Sequence, residues 1–122
     1  MALFEEHASL PPLRVWDGVI ARAVEGERLT LSVVELDPGA VIPEHAHENE
    51  QVGLLLSGSM HFRAGGEERD AVPGTTWSIP ANLPHDVVVG PHGAVVVEVF
   101  APRREDWDAL ERDAPRAPRW PA

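Results

Sequence analysis

Four residues of this chain have the chemistry to hold a divalent metal ion: His45, His47, Gln51 and His85. Side chains at i and i+2 point the same way only on an extended strand, so the spacing of His45 and His47 predicts two imidazoles on one strand face. Gln51 shares their odd parity, and an uninterrupted strand would turn its amide to the same side. His85 must come from a different strand. Glu48 and Glu50 are competing oxygen ligands, but both are out of phase and belong to solvent or the mouth of the site, unless a bulge shifts the register. His7 in a terminal segment, His92 in a turn and His61, out of phase with Met60 and Phe62, are expected to be solvent-exposed. Three neutral imidazoles and an amide leave the ion's +2 charge uncompensated, which makes it a strong Lewis acid and a seat for an anionic oxygen.

Composition narrows the chemistry. The chain has no cysteine, so disulfides, thiolate catalysis and Cys-rich zinc sites are excluded, and a metal must be held by nitrogen and oxygen donors. That donor set suits one divalent transition metal, with Ni, Zn, Mn and Fe the leading choices and Cu also compatible. The ten basic residues are all arginine, so a Schiff-base mechanism is excluded too. A net charge of -10 repels nucleic acid and anionic membranes. An anionic small substrate stays possible, because a metal and an arginine can invert the local potential. No apolar run reaches the ~18 residues of a membrane span. Met1 to Leu10 carries Glu5 and Glu6 where a secretory signal needs basic and then apolar residues, so the expected location is cytoplasmic.

The elements that must position these residues read as short strands separated by Gly and Pro turns. Strands are expected over Ala21–Val24, Leu29–Leu36, Val41–His47, Gln51–Leu56, Met60–Arg63, Arg69–Val72, Thr76–Ile79, His85–Val89 and Ala94–Phe100. Ser57-Gly58-Ser59 reads as a hairpin turn, and Pro80 to Pro84 as a constrained loop in which Asn82 suits a left-handed backbone. Many short strands at this spacing predict an all-β sandwich or barrel, and closure removes the edge problem. Residues 1–122 are expected to form a single domain, with a barrel core over about 29–100 and a tail over 103–122. Trp107 and Leu110, three apart, predict a short helix within Arg103–Asp113, and Pro115, Pro118 and Pro121 leave the remainder extended or loose. Pro11-Pro12 and Trp16 are candidates for a strand that pairs with a partner subunit.

On the last strand both parities are apolar except at Glu98. If Glu98 faces inward with Val96 and Phe100, it stands near the metal and can act as general acid or base; the alternative is an outward carboxylate on a buried strand. Phe100 could floor the cavity and Trp77 could line it, or both could be plain core packing. Arg103 and Arg104 follow directly, and an arginine there could clamp a substrate carboxylate or form a surface ion pair with Glu105 or Asp106.

The segment Gly39-x5-His45-x-His47-x3-Gln51-x6-Gly58 resembles the first motif of the cupin superfamily, with Gln51 where glutamate is usual. Gly74-x5-Pro80-x-Asn82-x2-His85 resembles the second, with Asn82 in place of glycine and Val89 in place of the terminal asparagine. The resemblance implies a double-stranded β-helix, a jelly-roll-like barrel, whose histidines face its interior, and a homodimer.

Two stretches, His45 to Gly58 and Glu98-Val99-Phe100-Ala101-Pro102-Arg103-Arg104-Glu105-Asp106-Trp107, look like the cupins that open the ring of 4,5-unsaturated uronates in pectin and alginate breakdown. That resemblance implies His45, His47, Gln51 and His85 as metal ligands, Glu98 as the catalytic acid, one methylene longer than the usual aspartate, and Phe100 and Arg104 completing the site. The expected activity is metal-dependent ring opening and tautomerisation, of isomerase or lyase type. Two rivals remain: a metal-dependent dioxygenase of a small aromatic or diketone substrate, and a sugar- or ligand-binding protein without catalysis.

Overall fold

A computed structural model describes residues 3–121; Met1, Ala2 and Ala122 of the terminal segments lie outside the described residues. The strands are β1 (Leu13–Trp16), β2 (Val19–Glu25), β3 (Thr30–Leu36), β4 (Val41–His45), β5 (Glu50–Ala64), β6 (Glu67–Ala71), β7 (Thr76–Ile79) and β8 (His85–Ala101). All belong to one antiparallel sheet in the order β1-β2-β3-β8-β5-β6, with β4 added on β8 and β7 on β5.

Two expectations change at the centre of this sheet. Met60 does not begin a second arm of a hairpin: β5 runs unbroken through Ser57-Gly58-Ser59, and β8 runs unbroken through Gly90 and Gly93. The two strands pair along their whole lengths, from Glu50↔Ala101 to Ala64↔His85, with register shifts between Leu55 and Ser57 and between Gly58 and Met60. Those bulges bend a continuous ribbon where the sequence signals a reversal. Gly58 has φ +83°, and a Cβ there would lie 2.0 Å from the carbonyl oxygen of Gly93, so this position needs glycine both for its backbone and for the close crossing. One half of the ribbon carries β3 and β7, the other β4 and β6. Inward residues of both halves, among them Val34, Leu36, Val96, Met60, Phe62 and Val87, form one core.

The sheet is not closed into a barrel. Its ends, β1 and β6, do not pair with each other. Each of these two ends is protected in another way. β6 carries Glu67, Glu68, Arg69 and Asp70, a charged edge that resists further pairing. The free side of β1 is taken by the chain's own tail: Arg14 N–H donates to the Glu111 carbonyl at 2.9 Å, and Asp113 N–H to the Pro12 carbonyl at 2.8 Å. The segment containing Pro11-Pro12 and Trp16 therefore pairs with β2 and with this tail in its own chain.

That pairing also explains the absence of the expected C-terminal helix. Glu105–Ala109 makes only a 3₁₀ turn, and Leu110 is already extended. Trp107 buries against Phe100 and Arg104, after which residues 111–113 are drawn out to hydrogen-bond with β1. The proline-rich end beyond is tied down and not loose. Arg22 and Glu35 form a buried pair at 2.8 Å. The tail packs on it through Arg22 Nη2 to the Arg116 carbonyl at 2.8 Å and Arg119 N–H to Glu35 Oε2 at 2.9 Å.

The ribbon crossing predicts a graded response to alanine at two glycines of positive φ. Gly58→Ala should destabilise the protein by more than about 2 kcal/mol, because backbone strain adds to a backbone collision. Gly39→Ala, with φ +71° and nothing within 4 Å of the added methyl, should lose only about 1 kcal/mol. Urea unfolding of both variants measures the difference, and equal losses would contradict the role given to the crossing.

Candidate metal centre

His45 ends β4, His47 lies in the loop that follows, and His85 begins β8, directly opposite His45 in the pairing register. Their ligand atoms all lie within 4.8 Å of one another. The rings are aimed by the backbone. His45 Nδ1 meets the Pro43 carbonyl at 2.9 Å, His47 Nδ1 the Asn49 carbonyl at 2.9 Å, and His85 Nδ1 the Leu83 carbonyl at 2.8 Å. A carbonyl can only accept, so each Nδ1 carries the proton and each Nε2 keeps its lone pair. Among the described residues Nε2 of His47 is buried with no hydrogen-bond partner, as suits an atom that ligates a cation. Burial is also the main reason that the pKa values of His47 and His85 are lowered, with Arg104 adding to the effect, so both favour the neutral, ligating form. The donor set is therefore suited to a divalent metal ion. The loop from Pro80 to Pro84 holds the arrangement together: Asn82 adopts φ +64°, as its type suggested, and its N–H donates to the His47 carbonyl at 2.8 Å.

Gln51 reaches the same cavity by a different route from the one its parity implied. The strand is interrupted after His45, and Gln51 belongs to β5, where it pairs with Phe100 of β8. Its side chain is buried, whereas Glu48 and Glu50 are exposed. The amide nitrogen donates to Oε2 of Glu98, which leaves the amide carbonyl on the opposite side of the group.

Glu98 faces inward between Val96 and Phe100 and helps line the cavity. Its carboxyl borders open cavity space yet is enclosed by protein, and desolvation pushes its pKa up to about 7 against the opposing pull of Trp77, Gln51 and Arg104. Phe100 is buried in the same wall, its ring 5.8 Å from that of His47. The guanidinium of Arg104 lies 4.7 Å from the ring centres of both Phe100 and Trp107. Asp106 grips it at 3.0 Å through Nε and 2.8 Å through Nη2, and the same contact lowers the Asp106 pKa. Arg103 points elsewhere, pairing with Asp108 and Glu25. The cavity measures about 180 Å³, below the ~300 Å³ at which pockets for drug-sized molecules begin. It suits one small molecule.

Trp77 does not line this cavity. It stands behind Glu98, donating its indole N–H to Oε2 at 3.2 Å. Arg104 thus forms the ion pair with Asp106 that the sequence offered as an alternative, and the pair lines the cavity. Gly53, which lies under Trp77, carried a usable signal: a lone glycine in an apolar strand marks a close approach. The remaining histidines stay out of the site but are not simply solvated. His61 bridges Asp70 at 2.8 Å and Glu68 at 3.0 Å, and these carboxylates raise its pKa. His7 is half-buried against Trp120, and His92 is exposed as expected. Among the described residues no helix is long and apolar enough to cross a membrane.

Comparison with known proteins places this geometry in a family. The family model described as "Cupin domain" matches residues 32–100. The chain is 27% identical over 93 residues to the pectin degradation protein KdgF of Dickeya dadantii, an alignment covering 75% of this chain and 84% of the relative. Among solved structures it is similar to KdgF from Halomonas sp., with 28% identity, TM-score 0.78, and coverage of 87% of this chain and 98% of the other. An RmlC-like cupin from Shewanella frigidimarina shares the fold at TM-score 0.80 and 23% identity, over 88% of this chain and 96% of the other. The residues that meet around His45, His47 and His85 thus sit in a chain that belongs to the cupin family.

Proposed function

We propose that this protein is a metal-dependent enzyme that opens the ring of 4,5-unsaturated uronates to give the linear keto-sugar acid. The observation carrying this reading is that a half-buried carboxylate, Glu98, shares one small cavity with three inward histidines and Arg104. The similarity to two KdgF proteins, one of them called a pectin degradation protein, supports an acidic sugar as the substrate class.

His45, His47 and His85 would hold the ion through Nε2, with the Gln51 carbonyl as a neutral fourth ligand. When bound, the ion supplies a seat for anionic substrate oxygens and Lewis-acid stabilisation of negative charge as it develops. Arg104 orients the substrate carboxylate with the guanidinium edge that Asp106 leaves open, and Phe100 floors the cavity. Glu98, as the carboxylate, takes the hemiacetal hydroxyl proton. The bond from the anomeric carbon to the ring oxygen then breaks, giving an aldehyde, and its electron pair becomes that of an enolate. Glu98 returns the proton to the enolate carbon, leaving a ketone. Nothing is oxidised or reduced overall, and a carboxyl with a pKa near 7 can serve in both directions.

The metal-loaded protein should accelerate loss of the conjugated double-bond absorbance of an unsaturated uronate monomer, and Glu98→Gln should reduce kcat by about 10²–10⁴-fold with metal content unchanged. No acceleration over the spontaneous reaction would sink the reading. Oxygen uptake with catechol, flavonol or diketone substrates would replace it with a dioxygenase, and tight sugar binding without turnover would replace it with a binding protein.

His47→Ala or chelation should remove both bound metal, measured by elemental analysis, and activity, and re-addition of metal should restore activity only to the chelated wild type. Gln51→Glu should retain metal at least as well as the wild type, yet lose activity. It replaces the donor to Glu98 with a like charge and halves the charge on the ion. An active Gln51→Glu variant would contradict the role given to the amide.

A further inference from the structure

Trp77 reaches Glu98 through a gap in the inner face of β5. Gly53 is in register with Trp77 on one side and with Glu98 on the other. A Cβ on Gly53 would lie 2.4 Å from the indole nitrogen, 2.5 Å from Cε2 and 2.7 Å from Cζ2. The indole therefore occupies the space that any side chain at position 53 would fill. These are atoms of a rigid ring, itself packed 5.2 Å from Phe62 between ring centres, so it has little room to give way. Through this gap the indole N–H meets Oε2 of Glu98, the same oxygen that receives the Gln51 amide. Among the described residues, Oε1 has no hydrogen-bond donor.

Glutamate has three side-chain torsions, and a carboxylate with one donor can still pivot to present either oxygen. Two donors from different strands on one oxygen remove that freedom, and unlike the Gln51 amide, the Trp77 N–H has no second group to serve. We propose that Gly53 and Trp77 form a positioning pair: the glycine opens the path and the indole N–H pins Oε2, so that Oε1 is the oxygen presented to the substrate. What Oε1 does there rests on the ring-opening reading; the pinning itself does not.

Trp77→Phe keeps a ring and deletes the donor, and Gly53→Ala drives the indole away. In metal-loaded protein each should reduce kcat about tenfold, with KM and metal content within twofold of wild type; a purely packing role would change stability and leave kcat intact. Wild-type kcat in Trp77→Phe would overturn the proposal. A second measurement stands apart from any substrate. The indole ¹H–¹⁵N resonance that disappears in Trp77→Phe belongs to Trp77, and it should shift in both Glu98→Gln and Gly53→Ala. A resonance that stays in place in Glu98→Gln would also overturn the pair. If the wild type fails to turn over uronate while the resonance shifts, the pair stands and only the ring-opening reading falls.

Discussion

The antiparallel pairing of β5 with β8 is the constraint on which the site depends. Its register sets Gln51 against Phe100 and Gly53 against Glu98 at one end, and Ala64 against His85 at the other. One ribbon therefore carries the amide, the carboxylate, the aromatic floor and one histidine, and the bend at Gly58 and Gly93 lets its two halves enclose a common core. β4 then needs only to pair with the first part of β8 to bring His45 opposite His85. A one-residue slip of β5 would turn Gln51 outward, and one of β8 would turn Glu98 and Phe100 outward, so core packing and site assembly are fixed by the same register.

The site's electrostatics follow from the choice of an amide at position 51. An amide offers both an acceptor and a donor, whereas an ionised carboxylate offers only acceptors. Gln51 can thus face the histidines with its carbonyl while its nitrogen stabilises Glu98. A glutamate in its place would put two carboxylates side by side and force a proton onto one of them. Arg104 is treated similarly: Phe100 and Trp107 shield its faces, and Asp106 holds one edge of the guanidinium, fixing its direction before any ligand arrives. Histidine orientation is left to backbone carbonyls, which carry no charge and leave the cavity positive once a cation is bound.

Much of this was legible in the sequence because the histidine spacing is local and the apolar last strand is interrupted at one residue only. Alternation with Val96 and Phe100 left both directions open for Glu98, and it is the fold that turns it into the cavity. What was not legible depended on distant partners. Ser57-Gly58-Ser59 has turn chemistry, but the glycine is there for the crossing with Gly93, which no local pattern reveals. Trp107 and Leu110 have helical spacing, yet pairing of residues 111–113 with β1 outweighs a short helix that could form few hydrogen bonds of its own. Closure into a barrel was expected as the remedy for exposed edges; the charges of β6 and the tail along β1 are another remedy, and only the topology tells them apart. Neither lining the cavity nor plain core packing describes Trp77, whose reach through Gly53 to Glu98 depends on which strands are neighbours.

The central claim is a division of labour: three histidines and a neutral amide hold the ion, and Glu98 stays off it to handle protons. Anomalous diffraction at the absorption edge of the bound metal in crystals of the loaded protein tests this most directly. The account predicts a single peak within bonding distance of Nε2 of His45, His47 and His85 and of the Gln51 carbonyl oxygen, with both Glu98 oxygens outside the coordination sphere. A peak ligated by Glu98, or one that leaves Gln51 unbound, would contradict it.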